Sequence, residues 1–145
     1  MKITSSAFEN NQLIPSKYTC DGENINPPLL ISDVPTEAQS LVLIMDDPDA
    51  PMGTWVHWTL FNIDSKTIEI AEDSVPSGAI QGRTNSANNY GGPCPPSGTH
   101  RYFFKLYALD TELDLTAEAD KAQIEQVMQN HIIDQAELIG RYSRN

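Results

Sequence analysis

Two stretches of this chain hold most of the residues able to do chemistry. Residues 46–58 read DDPDAPMGTWVHW and residues 90–102 read YGGPCPPSGTHRY. Each passes through a Pro/Gly-rich turn to a histidine, His57 in the first and His100 in the second. Asp46, Asp47 and Asp49 lie on the first stretch, where Pro48 and Pro51 fix φ and bias their predecessors to extended backbone. Carboxylates on so stiff a frame can orient an imidazole and favour its two-donor form. Two such rings, with loop N–H groups around Gly91 and Gly92, make a site for a phosphate or carboxylate. Tyr102 lies one pleat beyond His100 on the same strand face and adds a phenolic donor.

Plainer readings stand beside this one. Aspartates in turns cap backbone N–H groups. A histidine inside an apolar strand pattern, as at His57, is more often a core residue. Trp55 and Trp58 read as core or pocket walls, and His131 as part of a helix stripe. Asp47, Asp49, His57 and His100 are chemically fit for a mixed N/O metal site, but nothing in their spacing selects one. The sequence lacks a GxSxG elbow, a phosphate loop, an HExxH pair and an EF-hand loop. A hydrolase using Asp47 and His57 as base and acid would lack a nucleophile. No cofactor is implied. Cys20 and Cys94 both sit in loop-like segments, TCDG and GPCPP. They are either two free thiols or one bridge between two loops, and only their distance decides.

These groups need a frame to hold them. Ser40–Met45 is a continuous apolar run of strand length. Thr54–Ile63 is apolar on both faces; alternation puts Trp55, His57, Thr59, Phe61 and Ile63 on one side and Val56, Trp58, Leu60 and Asn62 on the other. His100–Asp110 alternates strictly, with His100, Tyr102, Phe104, Leu106 and Ala108 together. Weaker strands are expected near Ile3–Phe8, Leu29–Ile31, Thr67–Ile70 and Glu137–Ser143. A helix is expected from Asp120, with Gln123 completing a capping box and Ile124, Val127, Met128, His131 and Ile132 forming its stripe. Residues 71–98 lack strong periodicity and read as a long loop, either functional or packed as a large surface loop. Many strands and one late helix predict a mainly β fold of sandwich or barrel type.

The 145 residues fit one domain, 1–145, with enough length for a single core. A net charge of −11 argues against nucleic acid and against docking on an anionic membrane. The longest apolar run, Leu41–Met45, is far short of a membrane span. The first twelve residues carry no apolar signal segment, so a cytoplasmic location is expected.

The chain resembles the phosphatidylethanolamine-binding protein family, which includes the Raf kinase inhibitor proteins, and its bacterial and archaeal branch in particular. The resemblance rests on DPDAP at Asp47–Pro51, on Trp55 and His57, on Gly92-Pro93, and on His100-Arg101-Tyr102. TCDG at Thr19–Gly22, Pro27-Pro28-Leu29 and the terminal ELIGRYSR add to it. It implies an antiparallel β-sandwich with Greek-key connections and a C-terminal helix. It also implies a small pocket for phosphate or phosphoethanolamine-like head groups, built from Asp47, His57, the backbone at Gly92 and Pro93, His100 and Tyr102. Asp49 and Pro51 would shape the loop, and Trp55 would form a wall. Asp47 would orient a ring and also accept from a ligand ammonium. The reading is therefore a binding module without turnover; a regulator of a protease or kinase, acting through the loop rim, is the alternative. A homodimer is open. Bacterial members usually carry tryptophan where this chain has Ile31, which puts local packing in question.

Overall fold

The computed structural model describes residues 1–144. Two sheets form the body. The smaller contains β1 (Lys2–Thr4), β3 (Leu29–Ser32) and β6 (Glu69–Ile70), in the order β1-β3-β6. The larger contains β2 (Gln12–Leu13), β4 (Ser40–Asp47), β5 (Trp55–Ile63), β7 (Ile80–Gln81), β8 (Thr99–Leu109) and β9 (Ile132–Ser143), ordered β2-β9-β8-β4-β5-β7. β4 and β5 form a hairpin, and β8 returns by a long connection to pair with the other side of β4. That is the Greek-key step the resemblance implied. The pairing of β2 with β9 is parallel, an exception to the otherwise antiparallel ladder.

The larger sheet is covered on both faces, which explains the two-sided apolar character of β4 and β5. Between the sheets lie Ile3, Leu29, Ile31 and Ile70 against Leu43, Leu60, Phe104 and Leu106. Each such side chain, fully removed from water, contributes about 1.5–3 kcal/mol. Ile31, where the local packing was in question, is buried in this core. On the outer face, Val42, Ile44, Phe61 and Leu109 meet Ile124 and Met128 of α1 (Lys121–Met128).

The helix starts as expected. Gln123 N–H donates to Asp120 Oδ1 at 2.9 Å, and Asp120 N–H donates to Gln123 Oε1 at 3.0 Å. It ends earlier than the stripe suggested. Asn130 takes φ 72°, which breaks the helix, and the chain turns directly into β9. His131 and Ile132 therefore leave the helix; His131 pairs with Asp110 at 2.7 Å and Ile132 opens β9. Several strands differ in extent from expectation: β1 stops at Thr4, β4 runs on to Asp47, β6 holds only Glu69–Ile70, and β9 begins at Ile132, not at Glu137.

The β4–β5 register jumps twice. Met45 faces Trp58 while Asp46 faces Val56, so His57 is a surplus residue on β5. Leu41 faces Ile63 while Leu43 faces Leu60, and Asn62 absorbs that second bulge at φ 54°. A bulge resets the pleat and re-aims a side chain. Hence Trp58, Leu60 and Ile63 share the inter-sheet core while Phe61 faces the helix, correcting the faces assigned by simple alternation.

Candidate functional site

The bulge carries the site. Plain alternation would send His57 to the helix side with Phe61. Instead its ring packs edge-on against Tyr102 of β8, with centroids 5.2 Å apart. His100 lies on the other side of Tyr102, its ring near-parallel at 6.4 Å. Two imidazoles from two strands thus flank one tyrosine. They border a cavity of about 530 Å³ whose wall also includes Asp47, Pro51, Trp55 and Gly92. Asp49 and Pro93 do not line it.

Each ring is held by its Nδ1. His100 Nδ1 lies 2.7 Å from Asp47 Oδ2, and both side chains are almost fully buried. His57 Nδ1 lies 2.6 Å from the Gly91 carbonyl oxygen. A carbonyl only accepts, so His57 carries a proton on Nδ1. Burial pushes its pKa below the ordinary histidine value, against the opposing pull of the Gly91 carbonyl and of Asp47. The neutral ring therefore presents a lone pair at Nε2. Donation from Nε2 to an anion requires a second proton.

The aspartates divide their work. Asp47 Oδ1 accepts from Asp49 N–H at 2.8 Å, while Oδ2 takes His100. With both oxygens engaged and the group buried, Asp47 is an orienter of His100; it has little to offer a ligand ammonium, contrary to expectation. Asp49 points away to Arg101. It accepts from that residue's N–H and Nε at 2.9 Å each and from Nη2 at 2.8 Å. The Arg101 guanidinium holds the Asp49 carboxyl down to about 2. Asp49 thus pins the 47–51 loop to the start of β8. Asp46 faces the opposite side of the sheet, where Lys105 at 3.1 Å and Lys121 at 2.9 Å neutralise it and tie it to the helix.

The glycine loop is also structural where donors were expected. Gly91 N–H donates to the His57 carbonyl at 2.9 Å, and Gly92 N–H donates to Asn24 Oδ1 at 2.8 Å. Neither is left for an anion. A Cβ on Gly92 would come within 2.4 Å of both Asn24 Oδ1 and the Tyr18 carbonyl, so the close approach requires glycine. The Pro93 carbonyl accepts from Cys20 N–H at 3.1 Å. Beside these contacts Cys20 and Cys94 form a disulfide, with Cα atoms 5.5 Å apart, and both line the cavity.

Three buried side-chain oxygens lack a hydrogen-bond partner among the described residues, Asp46 Oδ1, Thr59 Oγ1 and the Tyr102 hydroxyl, and of the three residues only Tyr102 lines the cavity. Burial, seconded by the Asp47 charge, raises the Tyr102 pKa against the opposing pull of the nearby Cys94 N–H on the phenol oxygen, so the O–H keeps its proton and has no acceptor among the described residues. Asn24, Asn85 and Ser86 also reach the cavity, and the sequence reading missed them. They lie on irregular segments, with no spacing rule to connect them to the histidines. At the mouth, Met52 is 95% exposed and Trp55 is 43% exposed. Among the described residues, no helix is long and apolar enough to cross a membrane.

Comparison with known proteins agrees with this architecture. A UPF0098 protein of Methanothermobacter thermautotrophicus is 50% identical over 99% of both chains. One from Aquifex aeolicus is 47% identical, over the whole of this chain and 90% of its own. The crystal structure of CT736 from Chlamydia trachomatis, described as a phosphatidylethanolamine-binding protein homologue, superposes with a TM-score of 0.96. It is 43% identical and covers 99% of this chain and 97% of its own. Escherichia coli YbcL, described as a member of the mammalian PEBP family, gives a TM-score of 0.93 at 29% identity, over 99% and 98% of the two chains. The family model described as phosphatidylethanolamine-binding protein matches residues 4–143, nearly the whole sequence. With that match, those identities and the shared two-sheet fold, the chain belongs to the phosphatidylethanolamine-binding protein family.

Proposed function

We propose that the cavity binds a small phosphorylated head group of the phosphoethanolamine type, without turnover. The observation carrying this reading is the unpartnered Tyr102 hydroxyl between two imidazoles that are each anchored through Nδ1. A buried donor without a partner costs about 1–3 kcal/mol, which a ligand oxygen would recover. The Nε2 atoms of His57 and His100 donate to the same group once the rings are protonated. A volume of about 530 Å³ exceeds the needs of bare phosphate and leaves room for the substituent it carries. Ligand ammonium then falls to Asn24, Asn85 or Ser86 on the cavity wall, in place of the engaged Asp47.

Isothermal titration with phosphoethanolamine from pH 5 to pH 8 tests this. Affinity should fall as pH rises, and His100→Ala should abolish it. Flat affinity across that range, or binding by the variant equal to the parent, refutes the reading.

The exposed Met52 and Trp55 favour a second reading, in which the rim engages a protease or kinase. In that case Met52→Ser with Trp55→Ser removes inhibition while His100→Ala leaves it intact. The expected cytoplasmic location has to accommodate the disulfide, since cytosolic reductants keep most thiols reduced.

A further inference from the structure

The disulfide occupies an unusual place for a simple staple. It lies in the cavity wall, and it joins the loop at Cys20 to the loop whose Gly91 carbonyl holds the His57 ring. Cys94 is exposed and Cys20 is half-buried, so the bridge is open to attack from solvent. Backward from Cys94, the Gly91 carbonyl fixes the His57 ring through a 2.6 Å hydrogen bond. Forward, five residues including Pro95 and Pro96 lead to His100.

The non-covalent ties between these loops are few. They are Cys20 N–H to the Pro93 carbonyl, Gly92 N–H to Asn24, and the Tyr90 hydroxyl to the Tyr18 carbonyl. Cys20 and Asn24 are only half-buried or exposed, so water competes for two of these bonds. The β4–β5 and β4–β8 ladders, by contrast, do not pass through the bridge. Opening it frees a loop and leaves the sheet intact.

We propose that the Cys20–Cys94 bridge is a redox latch on the cavity. While it is closed, the 90–98 loop holds His57 in one orientation and the head-group site is formed. A dithiol reductant opens it. One thiolate of the dithiol attacks Cys94 Sγ, forming a mixed disulfide and releasing Cys20 as thiolate, which takes a proton. The second thiol of the reductant then displaces Cys94 and closes the reductant's own disulfide. Two electrons and two protons arrive in total, leaving two cysteine thiols. The freed loop is then held to His57 only by the Gly91 N–H bond to its carbonyl and by the ring's own bond to the Gly91 carbonyl, and the site loses its fixed ring as these two open.

The test uses the full chain, oxidised or treated with dithiothreitol, with thiol content read by mass. Reduction should speed amide exchange at Gly91 and Gly92 at least tenfold and leave the central amides of β4 and β8 unchanged. Phosphoethanolamine affinity should fall at least tenfold and return on reoxidation. Cys20→Ser with Cys94→Ser should behave as the reduced protein under both conditions. The latch is overturned if two free thiols leave loop exchange at its oxidised rate. It is equally overturned if reduction unfolds the sheet, because the bridge is then a staple of the whole fold. Only the binding arm rests on the head-group reading: an oxidised protein that does not bind phosphoethanolamine sinks that reading, while loop exchange still decides the latch.

Discussion

Replacing Asp47 with asparagine should change which nitrogen of His100 carries the proton. In the parent, Oδ1 accepts from Asp49 N–H and Oδ2 accepts from His100 Nδ1–H. Asparagine has one oxygen and one NH₂. The oxygen stays on the Asp49 N–H, whose backbone cannot turn away, and the NH₂ takes the place of Oδ2. It then faces His100 Nδ1, which must become the acceptor. The neutral ring responds by moving its proton to Nε2, toward the cavity. A charge-assisted hydrogen bond of about 1.5–3 kcal/mol gives way to a neutral one of about 0.5–1.5, so the net loss is about 1 kcal/mol. Asp47→Ala has no such rescue. It strands the buried His100 ring nitrogen at about 1–3 kcal/mol and the part-buried Asp49 N–H at less, and should cost more than the asparagine does. Urea unfolding orders the two variants, and ¹⁵N spectra of the imidazole report the tautomer. A variant ring still protonated at Nδ1, or equal destabilisation by asparagine and alanine, refutes the reasoning.

Three further outcomes are expected. Asp49 titrates at about 2 in the fold against 3.8 as a free side chain, a gap of at most about 2.4 kcal/mol. Asp49 is 30% exposed and Arg101 is 52% exposed, so screening leaves about 1 kcal/mol. Because the folded value is depressed, that stability is present above about pH 4 and disappears as pH falls toward about 2; urea midpoints of Asp49→Asn and parent should converge over that window. Gly92→Ala drives a Cβ into the Tyr18 carbonyl and should cost about 1–3 kcal/mol, read by thermal unfolding, with loss of the cavity. Phosphate binding should take up a proton at His57, whose free value lies below the ordinary 6.5. Above that value affinity falls by up to about tenfold per pH unit for one proton, seen by calorimetry in buffers of different ionisation enthalpy.

Much of the frame was readable because burial leaves a periodic trace. The unbroken run at Ser40–Met45 and the alternation from His100 to Leu109 became β4 and β8, with the expected face of β8 buried. Asp120 and Gln123 announced the helix start. Its end was misread because Ile132 continues the apolar spacing into β9, while the stop depends on the left-handed backbone of Asn130. The two-residue strands β2 and β7 are too short to carry a period. Of the proposed site, the motif residues Asp47, Pro51, Trp55, His57, Gly92, His100 and Tyr102 come together at one cavity. Asp49 and Pro93 support it from outside. The engaged N–H groups of Gly91 and Gly92 depend on partners that are remote in the chain, which no local pattern encodes.

The surplus residue at His57 makes the pocket a matter of parity as well as of residue type. Deleting Val56 would remove the surplus and set His57 opposite Asp46, on the helix side of the sheet; deleting His57 itself would leave Trp58 in the core and no ring at the cavity. The hydrophobic profile would hardly change, and the hairpin would still close. A shortened chain of that kind would keep the sandwich and lose its receptor, so length across this segment deserves the same scrutiny as the histidine itself when relatives are aligned.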